Sequence, residues 1–119
     1  MNLEKMIEKI KHHPKADGIG MILCHNGIVR GTARDGRRVS GLRVSVDHEK
    51  LRAVIAENKK KPGIVDILVE IAEDRDLAVG DDVMYLLVAG DIREHVIAAL
   101  TETLNAVKST VTRKQQCYV

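Results

Sequence analysis

The sequence predicts an α+β fold: a mixed β-sheet with packed helices, in the element order α-β-β-α-β-β-α-β. Three observations predict it. Apolar stretches of period two are interspersed with stretches of period 3.6. Strand-like stretches come in pairs, one pair before the middle helix and one after it. With 45% hydrophobic residues in a chain of 119 and no internal repeat, residues 1–119 suffice for one domain with one core. Residues 1–16 form its N-terminal helix and linker.

Leu3, Met6, Ile7 and Ile10 recur at i, i+3, i+4 and i+7, so residues 2–13 are expected to form an amphipathic helix, stopped by Pro14. Residues 19–30 read as a strand with a bend or bulge at Asn26-Gly27. Residues 31–38 form a loop turning at Asp35-Gly36, the tip of a first hairpin. In the following strand Leu42, Val44 and Val46 alternate with Arg43 and Ser45. Asp47 caps a helix whose face is Leu51, Val54 and Ile55, and Pro62-Gly63 closes it. Val65, Ile67, Val69 and Ile71 give the next strand. Residues 73–82 are an acidic connection that buries Leu77 and Val79 in passing. The run Val83–Ala89 reads as a central strand. Asp91 then caps a helix with an apolar face of Val96, Ile97, Leu100, Leu104 and Val107, and residues 111–119 end the chain as a strand.

Composition excludes several functions. The chain has no Phe or Trp and two Tyr, so it lacks the aromatic platforms that hold single-stranded nucleic acid. A net charge of +2 does not demand a polyanionic partner, and an anion site must come from local clustering. No apolar stretch is long enough to span a membrane, and the first residues do not open as a signal peptide. Cys24 and Cys117 then read as reduced thiols of a cytoplasmic protein, with Cys24 as core filler. The five histidines show no metal-ligand spacing. Cys24 and His25 are adjacent on a strand and face opposite ways, so they are no catalytic pair.

The chemistry concentrates in basic residues. Arg30, Arg34, Arg37, Arg38 and Arg43 fall within fourteen residues with Asp35 as the sole acid among them. A glycine-flanked loop so dense in guanidinium can grip phosphate or carboxylate; the plainer reading is a solvated hairpin loop. Arg93 stands in the first turn of the last helix, where the dipole disfavours a cation. Lys108 lies near that helix's end, and Lys114 in the next strand shares a face with Thr110 and Thr112 on strand parity. If the strand folds back past the helix end, the two lysines converge, and their mutual repulsion makes a neutral amine available.

Taken together, the segment His25-Asn26-Gly27-Ile28-Val29-Arg30-Gly31-Thr32-Ala33-Arg34-Asp35 resembles the strand end and basic loop of the large subunit of molybdopterin synthase, the MoaE family. Leu77-Ala78-Val79-Gly80-Asp81 is similar to that family's entry to its central strand. Arg93, Lys108 and Arg113-Lys114-Gln115 follow in the family's order, and the likeness covers about residues 17–117. The resemblance implies a MoaE-like (α/β hammerhead) fold. It implies a cytoplasmic sulfurtransferase of molybdenum cofactor biosynthesis that needs no cofactor of its own and no metal. Its sulfur would come from the C-terminal Gly-Gly thiocarboxylate of a small ubiquitin-like sulfur-carrier subunit and go to cyclic pyranopterin monophosphate, forming the molybdopterin dithiolene. A homodimer with a small subunit at each end, a heterotetramer, is also implied, as is the absence of nucleic acid and membrane partners.

Residue by residue, Lys108 matches the acid/base or electrostatic catalyst, and Lys114 the charge stabiliser or amine trap. Ile28, Val29, Arg30, Arg93 and Gln115 complete the substrate contacts, and Arg37 or Arg38 supplies a phosphate loop. The chain departs from the family where Ile92 replaces a histidine before Arg93, and where His25 replaces an aromatic. The alternative is a divergent non-catalytic paralogue acting as an anion- or protein-binding module.

Overall fold

The computed structural model describes residues 1–119. Helix α1 spans Leu3–Lys11, with Asn2 as N-cap accepting from the Lys5 N–H. A single 3₁₀ turn, Ala16–Gly18, leads into β1, Met21–Ile28. Strand β2 is Val39–Val46 and helix α2 is His48–Lys59, capped by Asp47 as expected. Then come β3 (Ile64–Ile71), β4 (Leu77–Ala78) and β5 (Asp82–Gly90). Helix α3 covers Arg93–Ala106 and runs into a π-helical turn, Val107–Val111, before β6, Thr112–Tyr118.

The α+β class is as the sequence predicts, with the strands divided between two three-stranded sheets, ordered β1-β5-β3 and β4-β2-β6, every pair antiparallel. Helices α2 and α3 cover one face of the first sheet around Ile67, Met84, Leu86, Val88 and Val96. Helix α1 covers the other, packing Met6 and Ile10 on Leu87 and Ala89. Covered on both faces, β5 has no solvent-accessible surface from Leu86 to Ala89, which is why its sequence is continuously apolar rather than alternating. The second sheet has its own small core of Val29, Leu42, Val44, Ala72 and Leu77.

Several local expectations are corrected. β1 and β2 do not form a hairpin: β1 pairs with β5 and β2 with β6, and only the bridge Thr32–Arg38 joins the two limbs of the loop. The acidic connection contains the extra strand β4, and Val79 within it is exposed. The cap of α3 is Ile92, not Asp91. Asp91 instead accepts from the Ile92 N–H (2.7 Å) and pairs with His95 (2.8 Å). The buried stripe of α3 is Val96, Ala99 and Thr103, so Ile97 is exposed. Cys24 is also exposed rather than filling the core.

Gly63 follows α2 at φ +78°, a conformation that favours glycine, and a Cβ there would strike the carboxylate of Asp91 and the ring of His95. We expect Gly63→Ala to destabilise the protein by about 2 kcal/mol, the scale of a strained left-handed residue, measured by urea unfolding. A change below about 0.5 kcal/mol would contradict this packing.

Candidate functional site

The two sheets meet along a cleft of about 680 Å³. The end of β1 forms one wall with His25, Asn26, Gly27 and Ile28. β2 lines it with Val39, Leu42 and Val44; Ile71, Val83 and Met84 add apolar surface. The cations arrive from three other places.

The first pair comes from the chain leaving β1. Between Gly27 and Ile28 the register with β5 shifts by one residue, the extra one being Val83 of β5, and β1 ends at this irregularity. Val29 is then locked by backbone bonds to Asp81 and Gly80 (both 2.9 Å) and buried, which fixes Arg30 beside it at the cleft. The Arg30 Nε–H donates to the carbonyl of Thr32 at 2.7 Å, so its orientation is set before any ligand binds. Arg34 follows at the loop's turn and also lines the cleft.

Lys108 stands on the π-helical turn. Val107 and Val111 are buried and pin the turn at both ends. The Thr112 N–H reaches back five residues to the Val107 carbonyl, and the Asp47 N–H bonds the Val111 carbonyl at 2.9 Å. The wide turn is thus held from within and by the cap of α2, and it carries Lys108 to the cleft instead of continuing α3. Lys114 comes from β6, opposite Val44 in the register. On strand parity Thr112, Lys114 and Gln116 point the same way, and all three line the cleft.

The electrostatics are one-sided. Arg30, Arg34, Lys108 and Lys114 line the cleft and no carboxylate does. None of the four is in an ion pair, whereas Arg37, Arg43 and Arg93 pair with Asp35, Asp76 and Glu94. Four unpaired cations against an apolar wall can attract an anion and shelter an apolar group attached to it.

The expected site residues therefore separate. Ile28, Val29, Arg30, Lys108 and Lys114 come together, as the convergence of the lysines requires. Gln115 does not line the cleft; its neighbour Gln116 does. Thr110 lies on the π turn, not on the strand, so it does not share the face of Lys114. Arg37 is committed elsewhere: it pairs with Asp35 at 2.8 Å, stacks on the Tyr118 ring at 4.0 Å and donates to its hydroxyl. It is a strut fastening the loop to β6. Arg38 serves through its backbone, whose carbonyl accepts from Val119. Arg34, one of the loop arginines, takes the place in the cleft that Arg37 and Arg38 were expected to fill. Arg93 begins α3, fifteen residues from Lys108, roughly 20 Å along a helix, and does not line this cleft.

His25 is the residue that the sequence passed over. Its ring lines the cleft, and its Nε2 is sealed from solvent with no hydrogen-bond partner. Burial first, and then the positive charge of Lys108, lower its pKa from the ordinary histidine value of 6.5. Both causes favour the neutral imidazole.

No group of three or more His, Cys, Asp or Glu side chains is placed to hold a metal ion, and no helix is long and apolar enough to cross a membrane.

Residues 1–110 match the family model described as MoaE protein. Molybdopterin synthase from Staphylococcus aureus superposes with a TM-score of 0.81 at 18% identity, covering 100% of this chain and 86% of that one. The MoaE protein of Burkholderia ambifaria gives 0.75 at 16% identity, covering 99% and 83%. A complex of subunits 1 and 2 of the molybdopterin-converting factor of Helicobacter pylori gives 0.71 at 14% identity, covering 100% and 84%. No curated protein matches the chain.

Proposed function

The chain belongs to the MoaE family and has its role in molybdopterin synthesis, and on that premise we propose that it is the sulfur-transferring large subunit of a molybdopterin synthase. Its substrates are cyclic pyranopterin monophosphate and the C-terminal thiocarboxylate of a small ubiquitin-like subunit, and its place of action is the cytoplasm. The observation that carries this reading is the set of four unpaired cations in one cleft without a carboxylate.

The task needs what the cleft offers. Arg30 and Arg34 present forked donors to the phosphate. The apolar wall of Leu42, Val44, Ile71 and Val83 receives the fused ring. As the thiocarboxylate sulfur bonds to the pterin, charge develops on acyl oxygen and sulfur; Lys108 and Lys114 are fixed cations aimed at that charge. The exposed backbone of Ile28 offers further contacts beside Arg30.

Arg93 enters this scheme only through a second copy of the chain, since its own helix carries it away from Lys108. A homodimer whose α3 N-termini reach the neighbouring cleft makes each site composite. The prediction is complementation. Arg93→Ala and Lys108→Ala proteins, each inactive, regain up to about half the activity per heterodimer when mixed, because one site in each heterodimer is then intact. The dithiolene assay reads this, and no recovery in subunit-exchanged mixtures would confine Arg93 to a role outside the site.

The reading itself is tested by combining the chain with a thiocarboxylated small subunit and the cyclic pterin. Dithiolene product supports it. Salt-sensitive partner binding without product supports a non-catalytic binding module instead.

A further inference from the structure

We propose that His25 is the proton acceptor of the cleft, taking a proton from the water that releases the small subunit after sulfur transfer. The inference rests on the sulfur-transfer reading above and deepens it. When a thiocarboxylate sulfur bonds to a pterin carbon, that carbon's bond to oxygen breaks and the oxygen leaves with the bonding pair, while the acyl group remains attached to the sulfur as a thioester. For sulfur to stay on the pterin, the acyl carbon–sulfur bond must break. Water supplies the oxygen: its oxygen bonds to the acyl carbon, the bonding pair leaves with sulfur as a thiolate, and the small subunit departs as a carboxylate. The water's first proton needs a base.

In their charged form the cleft's lysines and arginines cannot serve. An ammonium or guanidinium has donors and no lone pair to accept with. The charged groups that line the cleft with His25 are Lys108 from the π turn, Lys114 from β6, and Arg30 and Arg34 from the loop, of which Lys108 acts on its ring. β2, β3 and β5 contribute only Val39, Leu42, Val44, Ile71, Val83 and Met84, none ionisable, and α3 contributes no lining residue. His25 is thus the group in the cleft that is neutral and carries a free nitrogen lone pair. Its Nε2 is closed off from solvent beside Gly27, where a Cβ would come within 3.4 Å of it, so the proposed step includes a turn of the ring that brings this nitrogen to the water in the cleft. Once protonated, His25 passes the proton to solvent as product leaves. Burial first, and then the charge of Lys108, favour the unprotonated imidazole beforehand, so Lys108 supports the base as well as stabilising the departing thiolate.

Two measurements on the full chain test this. By ¹⁵N NMR the His25 ring should titrate below pH 6.5, and Lys108→Gln should raise that midpoint; a wild-type midpoint at or above 6.5 overturns the proposal. In the reconstituted reaction, quenched-flow mass spectrometry of His25→Gln should show the acyl-linked species accumulating, with its hydrolysis slowed about 100-fold and the acid limb of the pH–rate profile lost. Release at the wild-type rate, or an unchanged acid limb, overturns the role of His25 alone. Absence of any sulfur transfer by the wild-type protein overturns the functional reading as well.

Discussion

Lys108→Ala should lower the rate of dithiolene formation by about 100- to 1000-fold, the cost of removing one preorganised donor from developing negative charge. The fold should survive. Lys108 is exposed, and the π turn that carries it is anchored by Val107, Val111 and the bonds to Thr112 and Asp47. Stability should therefore change by no more than about 0.5 kcal/mol, as for other surface sites. Deleting the turn's anchors gives the opposite pattern: Val107→Ala opens a cavity beneath the turn and costs stability as well as rate. Single-turnover assays with parallel urea unfolding separate the two. Normal turnover by Lys108→Ala would remove this residue from the mechanism.

The second large effect concerns Arg30. Arg30→Ala should weaken the phosphorylated pterin by about 10- to 100-fold, the worth of a hydrogen bond to a charged group. The loss should appear mainly in KM, because phosphate is bound alike in the ground and transition states. Arg30→Lys should recover only part of the loss, since an ammonium cannot reproduce the forked contact or the Nε–H bond that holds the side chain to Thr32. Arg34→Ala should have a smaller effect of the same kind, because Arg34 lines the cleft without such a bond. Arg37→Ala, by contrast, should act indirectly, freeing the loop from Tyr118. Equal losses in all three variants would mean a diffuse basic surface rather than a built phosphate site.

Much of the fold was legible because its signals are local. The 3.6 period of α1, the Asp47 cap and the apolar run of β5 each act within one turn or strand. What was not legible depends on distant pairing. Nothing in residues 21–46 says that β1 will pair with β5 and β2 with β6, so a loop that looks like a hairpin tip becomes a crossing between sheets. The π turn was hidden for another reason. Val107 and Val111 are spaced by four, as in an α-helix, and only the bond from Thr112 to Val107 distinguishes the wider turn.

The site divides along the same line. The convergence of Lys108 with Lys114 was conditional on the last strand folding back past the helix end, and their meeting with Arg30 was implied by family likeness alone, because it depends on how distant elements pack. The choice between Gln115 and Gln116 was legible from parity with Lys114, since alternate residues of a strand share a face; Gln115 came instead from the likeness of the Arg113-Lys114-Gln115 segment. His25 was passed over as a lone histidine without metal-ligand spacing. The available signal was a polar ring two residues before Gly27 on a strand whose alternate positions face inward.

The central claim is that the cationic cleft transfers sulfur. The most direct measurement mixes the purified chain, a thiocarboxylated small subunit and the cyclic pterin, and follows dithiolene and the partner's C-terminus by mass spectrometry. The account predicts dithiolene together with conversion of the partner's thiocarboxylate to carboxylate, both lost in Lys108→Ala. Binding of both substrates with the thiocarboxylate left intact would contradict it.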